Sequence, residues 1–144
     1  MNTENLKKFL DACFTAKHII ETLPELPKGM KPRHIHVLDQ VYMISSEQRG
    51  CRISDVSEGL NITMPSITKL VQELESMHLL EKYPAREDKR VTLLRLTEKG
   101  RACVQKHVYD FHSKWAEKLD FISNEDVQKA IWLIEQLEQT MPGR

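Results

Sequence analysis

Apolar residues recur in steps of three and four along most of this chain, the period of a helix with one buried face. Over residues 5–23 the set is Leu6, Phe9, Leu10, Cys13, Phe14, Ala16 and Ile20. That stripe is broad enough to pack on more than one partner. Pro24, Pro27, Gly29 and Pro32 then interrupt the pattern, since proline fixes φ and glycine admits turn conformations. A second helix is predicted over residues 32–45, on Ile35, Leu38, Val41, Tyr42 and Ile44, with residues 45–50 as a polar linker.

The stretch 51–100 organises the rest. Its short first helix has Ser54 as the expected N-cap, Asp55 and Glu58 in the first turn, and Val56 and Leu60 as the apolar edge. Gly59 and Asn61 supply the turn chemistry that ends it. Thr63 is then expected to cap a second helix, with Pro65 in its first turn, where no backbone donor is missed. Ile67, Leu70, Val71, Leu74 and Met77 form its buried stripe. Ser66, Lys69, Gln72, Glu73 and Ser76 face the other way, with Thr68 beside them.

The period then changes. Residues 79–83 and 91–96 carry β-branched and alternating side chains, the pattern of two strands, around a charged, turn-rich tip at residues 84–90. Helix, turn, helix and hairpin together make a winged helix-turn-helix. Net charge is zero for the whole chain, yet residues 82–106 hold eight Lys/Arg against three Asp/Glu. A basic hairpin beside a polar helix is an electrostatic footprint for nucleic acid. Hydroxyls, an amide and a lysine on the exposed face of Ile67's helix suit base edges and phosphates in a major groove.

After Thr97, which is expected to cap the next helix, Val104, Val108, Phe111, Trp115, Leu119 and Ile122 make a near-heptad seam. Ser123 and Asp126 read as a variant capping box for a last helix on Val127, Ala130, Ile131, Ile134, Leu137 and Met141. These terminal helices present more apolar surface than a small winged helix covers alone. A fold-back of the helices on their own domain is the competing arrangement.

Several of these strings resemble the MarR family of winged-helix transcriptional regulators. The similar residues are Ile67-Thr68-Lys69-Leu70-Val71 with Leu74-Glu75, then Leu79-Leu80-Glu81-Lys82, and above all Asp88-Lys89-Arg90 followed by Leu96-Thr97-Glu98-Lys99-Gly100. The resemblance implies a mainly α fold with a small β-wing, a homodimer held by interlocking termini, and double-stranded DNA as partner. On that basis residues 1–33 and 101–144 are expected to form the dimerisation region and 34–100 the DNA-binding region. Ser66, Thr68, Lys69 and Gln72 are expected in the major groove, Arg90 oriented by Asp88 at the minor groove, and Arg86 and Lys89 on phosphates. The family implies repression of a palindromic operator and release by a small-molecule effector, for which Cys13, His36 and Phe111 are candidate walls.

Candidate chemistry changes little. The cysteines Cys13, Cys51 and Cys103 have no CxxC spacing, which fits a reducing cytoplasm. Some relatives sense peroxide through a first-helix cysteine near tyrosines, but the first helix and following loop contain no tyrosine, so Cys13 reads as a small core residue. His36 and His107 roughly match zinc ligands of a metal-sensing branch. His112 lies at poor same-face spacing from His107, so no metal site and no cofactor are expected. No G-x-S-x-G, phosphate-cradling loop or H-E-x-x-H is present, so no enzyme is expected. The first residues are amphipathic and charged, so no signal peptide is expected, and no segment approaches a membrane span. The competing function is a winged helix used for protein contacts alone.

Overall fold

The computed structural model describes residues 1–22, 25–46 and 50–143. They form α1 (Thr3–Thr22), α2 (Pro32–Ser45), α3 (Ile53–Leu60), α4 (Met64–Ser76), β1 (Leu80–Pro84), β2 (Thr92–Leu96), α5 (Glu98–Val104), a π-helical stretch (Gln105–Asp110), α6 (Phe111–Lys118) and α7 (Asn124–Thr140). The class is mainly α with one two-stranded antiparallel wing, as the periodicity predicts. Leu23, Pro24 and linker residues 47–49 lie outside the described residues. Contacts divide the chain into two compact units, Met1–Phe111 and His112–Arg144.

The core of the first unit gathers on α2, whose Val37, Leu38 and Val41 are fully buried. Against them pack Val56 of α3, the stripe Ile67, Leu70, Val71 and Leu74 of α4, Leu80, Leu94 and Leu96 of the wing, and Val104 and Val108. Met77, expected in the α4 stripe, is only partly buried, because the helix ends one residue before it. The wing pairs Leu80 with Leu96 and Pro84 with Thr92; in β2, Leu93, Leu94 and Leu96 are buried while Thr92 and Arg95 are exposed. Cys51 adds a bridge on the far side of β2, its carbonyl accepting the Leu94 N–H at 2.7 Å.

Capping differs from expectation at one helix. The residue before α3 is Arg52, not Ser54, and the Asp55 carboxylate accepts the Arg52 N–H at 2.9 Å. The sequence offers two short polar side chains there, and Asp55 wins because it reaches back across the first turn with a full charge. Asn61 ends α3 in the left-handed region, at φ 53° and ψ 45°, a conformation its side chain tolerates. Thr63 and Ser123 begin α4 and α7 as expected. Ser123 Oγ accepts the Asp126 N–H at 3.1 Å, whereas the Thr63 hydroxyl turns to Ser66 Oγ at 3.0 Å.

The Leu96–Gly100 string is a clasp. Thr97 Oγ1 accepts the Gly100 N–H at 3.0 Å and donates to the His78 carbonyl at 2.7 Å, while the Thr97 N–H donates to the Leu79 carbonyl at 3.2 Å. A Cβ on Gly100 would overlap that same Leu79 carbonyl oxygen. The motif therefore ties the start of α5 to the turn between α4 and β1, and its glycine is required by close backbone approach. Gly100→Ala is expected to destabilise the fold by about 1–3 kcal/mol, read as a lower denaturant midpoint.

The expected heptad seam is interrupted. The π-helical stretch widens one turn at His107, which shifts the residues after it around the axis. Val104 and Val108 stay buried, while Phe111 and Trp115 are only partly so. Neither α1 nor α7 has a buried residue. Phe14 of α1 is 72% exposed, and Ile131, Trp132 and Ile134 of α7 are 44%, 56% and 53% exposed.

Candidate nucleic-acid interface

α4 carries the polar face outward. Lys69, Gln72 and Ser76 are exposed, and Ser66 and Thr68 partly so. The Thr68 hydroxyl donates to the Met64 carbonyl at 2.9 Å, which holds its rotamer and leaves its lone pairs outward. Met64, at the helix start, is 45% exposed. Its neighbour Pro65 costs no hydrogen bond in the first turn.

Asp88 and Arg90 meet at the tip of the wing. The Asp88 carboxylate accepts the Arg90 backbone N–H at 3.0 Å, Arg90 Nε at 3.1 Å and Arg90 Nη2 at 3.1 Å. The pair sits in the turn before β2 rather than on a strand, so their common side comes from the turn, not from the two-residue repeat of a strand. The Asp88 carbonyl also accepts the Val91 N–H at 3.0 Å, which closes that turn. Hydrogen bonds from Arg90, side chain first and backbone second, hold the Asp88 carboxyl below the usual carboxylate range, and Arg52 adds to this. The Arg90 side chain is 92% exposed, so Asp88 aims a guanidinium that stands out from the surface. Arg86 and Lys89 are exposed on the same tip.

Two of the basic residues counted in the sequence are matched by acids just outside that window. Lys82 pairs with Glu75 at 3.1 Å, and Arg95 pairs with Glu81 at 2.6 Å while stacking over the Tyr83 ring at 4.5 Å. Basic charge along the strands of the hairpin is therefore partly neutralised.

Behind α4 lies a contact that no local pattern announces. His34 of α2 is 1% exposed, accepts the Lys31 N–H at Nδ1 (2.9 Å) and meets Glu73 Oε2 at 2.5 Å through Nε2. The His34 hydrogen bond is the main reason the Glu73 carboxyl lies below its usual value, with Lys69 and Lys31 contributing.

The candidate effector and metal residues are more dispersed. Cys13 lies on α1, Phe111 opens α6, and His36 of α2 has a buried Nε2 with no hydrogen-bond partner among the described residues. A cavity of about 370 Å³ lies beside α5, walled by Met30, Met77, Leu79 and Cys103 and edged by Lys99 and His107. None of Cys13, His36 and Phe111 lines it. Burial, then Lys106, lowers the His107 pKa. Burial, then Asp55, pushes the Cys51 thiol up to about 12, and burial raises that of Cys103 against the pull of Lys99 and Lys106, which disfavours the thiolate at both. Among the described residues no group of three or more His, Cys, Asp or Glu could hold a metal ion. No helix among them is long and apolar enough to cross a membrane.

The family model described as winged helix DNA-binding domain matches residues 30–100. The fold extends to a solved MarR family transcription regulator, SP03579, with a TM-score of 0.77 and 18% identity over 95% of this chain and 90% of that one. The chain has a winged-helix fold. Streptococcus pneumoniae FabT, solved in complex with DNA, shares the same fold with a TM-score of 0.69 and 23% identity over 96% of each chain. Among curated proteins, the HTH-type transcriptional regulator MntR of Geobacillus kaustophilus is 36% identical over 74 residues. The chain spans about half the length of the curated relatives it matches. The matched model is that of a DNA-binding domain.

Met64, Arg52 and the contact between His34 and Glu73 were not singled out from the sequence. Met64 carries a signal, an apolar residue exposed just before Pro65. Arg52 and the His34–Glu73 contact carry none, because both arise from segments brought together only by folding.

Proposed function

We propose that the protein is a cytoplasmic, homodimeric transcriptional repressor that binds a palindromic operator through α4 and the wing. The observation that carries this reading is the Asp88–Arg90 pair, an exposed guanidinium held by its own carboxylate at the tip of a wing beside a polar helix. Ser66, Thr68, Lys69 and Gln72 enter the major groove, Met64 meets a thymine methyl, Arg90 takes the minor groove, and Arg86 and Lys89 contact phosphates. The uncovered apolar faces of α1 and α7 are the surfaces on which a second copy packs. An effector that binds one spacing of the two reading heads better than another releases the DNA. Its site is either the cavity beside α5 or the Cys13, His36 and Phe111 region, and peroxide or zinc is the alternative signal.

Selection from a random-sequence duplex pool tests this. The dimer should enrich an inverted repeat whose half-sites are centred about one helical turn apart. Gln72→Ala should relax the preference at one base per half-site, a loss of about 1–3 kcal/mol on the enriched duplex. Equal losses on enriched and random duplex would mean that Gln72 reads no base. A pool that is never enriched would favour the competing protein-contact module.

A further inference from the structure

We infer that His34 is a positioning residue for DNA reading, one that sets the rotation of α4 by gripping Glu73 from inside the domain. The inference rests on α4 being the helix that enters the groove. At 1% exposure the imidazole cannot touch DNA, so any effect it has on recognition passes through its hydrogen bonds. Its chemistry is fixed by its partners. Nδ1 accepts the Lys31 N–H at 2.9 Å and so carries no proton, which leaves Nε2–H to donate to the Glu73 carboxylate at 2.5 Å. Glu73 adjoins Gln72 and lies one turn after Lys69.

The apolar stripe of α4 holds the helix against α2, but the hydrophobic effect itself has no preferred direction and leaves the roll to side-chain packing. A short charge-assisted hydrogen bond does have a direction. Its inner end is anchored on α2, the most buried helix of the domain, and on the backbone of Lys31. Its outer end is the α4 residue next to the groove-facing amide. The bridge therefore selects one roll of α4, the one that presents Gln72 and Lys69 together.

Two side chains separate the two halves of the bridge. In His34→Asn, Oδ1 stands where Nδ1 stood and keeps the Lys31 bond, but the side chain is too short for Glu73. In His34→Gln, the amide nitrogen reaches Glu73 and the Lys31 acceptor is lost. The full-length variants are titrated with a duplex enriched by the unaltered protein and with a random-sequence duplex. His34→Asn should lose about ten-fold affinity for the enriched duplex, the value of one hydrogen bond to a charged group, with random-duplex affinity and its salt slope unchanged. His34→Gln should recover most of the ratio. Glu73→Ala, at a partly exposed position, should weaken the enriched duplex while leaving random duplex equal or tighter, since it removes a negative charge. An unchanged ratio in His34→Asn or Glu73→Ala, or equal losses on both duplexes, overturns the inference. Should the unaltered protein enrich no duplex at all, the DNA-binding reading beneath it fails as well.

Discussion

Ile131→Asp combined with Ile134→Asp is expected to turn a dimer into a monomer and to cost about 10²–10⁴-fold in affinity for a two-half-site operator. Both isoleucines lie on the same side of α7, with Val127 one turn before Ile131, and all three are 44–53% exposed. A stripe of this size left in water is costly at roughly 25 cal/mol per Å² of apolar surface. In the proposed dimer a second copy removes it, and placing a carboxylate in that seam would oppose the burial. The affinity loss follows because each monomer reads one half-site, and the second contact no longer comes at the high local concentration that a dimer supplies. Light scattering and operator titration of the variant against the unaltered protein read both effects. A monomeric unaltered protein at micromolar concentration, or a double variant that dimerises normally, would remove α7 from the interface.

Arg90→Ala should leave the fold and the dimer intact while weakening DNA binding and lowering the salt slope, because one cation fewer displaces counterions, about 0.9 of a slope unit per phosphate-equivalent contact. Asp88→Ala separates orientation from charge. Removing an anion beside DNA should tighten binding if only net charge matters. Here the carboxylate makes three contacts to Arg90, so its loss frees the guanidinium to sample many rotamers, and the entropy of ordering it is then lost on binding. Asp88→Ala is therefore expected to weaken binding despite the favourable charge change. As an exposed pair it adds little to stability, so the denaturant midpoint should hardly move. Tighter binding by Asp88→Ala, or unchanged binding by Arg90→Ala, would reduce the pair to a stiffener of the hairpin.

What the sequence makes legible here is what is local. The change of period from three-and-four to two at residue 79 marks the wing, and Pro65, Thr97 and Ser123 mark helix starts, because each signal and its consequence lie within one turn of chain. The Leu96–Gly100 string was recognisable as a motif, yet its physical cause was not, since the Leu79 carbonyl that excludes a side chain at Gly100 lies some twenty residues earlier. Ser54 is the N-cap the sequence suggests, and only the backbone path shows that the helix starts earlier, with Arg52 as its N-cap. The π-helical stretch at His107 leaves no trace in the apolar pattern, which reads the same for a regular helix. Charge counting along the chain overstated the hairpin field because Glu75 and Glu81 meet Lys82 and Arg95 in space. Likewise His34 and Glu73 are 39 residues apart, and nothing at either position names the other.

The most direct measurement is a fluorescence titration of the full-length protein with a labelled random-sequence duplex at two salt concentrations. Binding through an exposed wing tip and Lys69 should appear at low salt, with dissociation constants of about 10⁻⁴–10⁻⁶ M near physiological ionic strength, and weaken steeply as salt rises. No binding at low salt, or binding that salt leaves unchanged, would contradict a DNA-reading role for α4 and the wing.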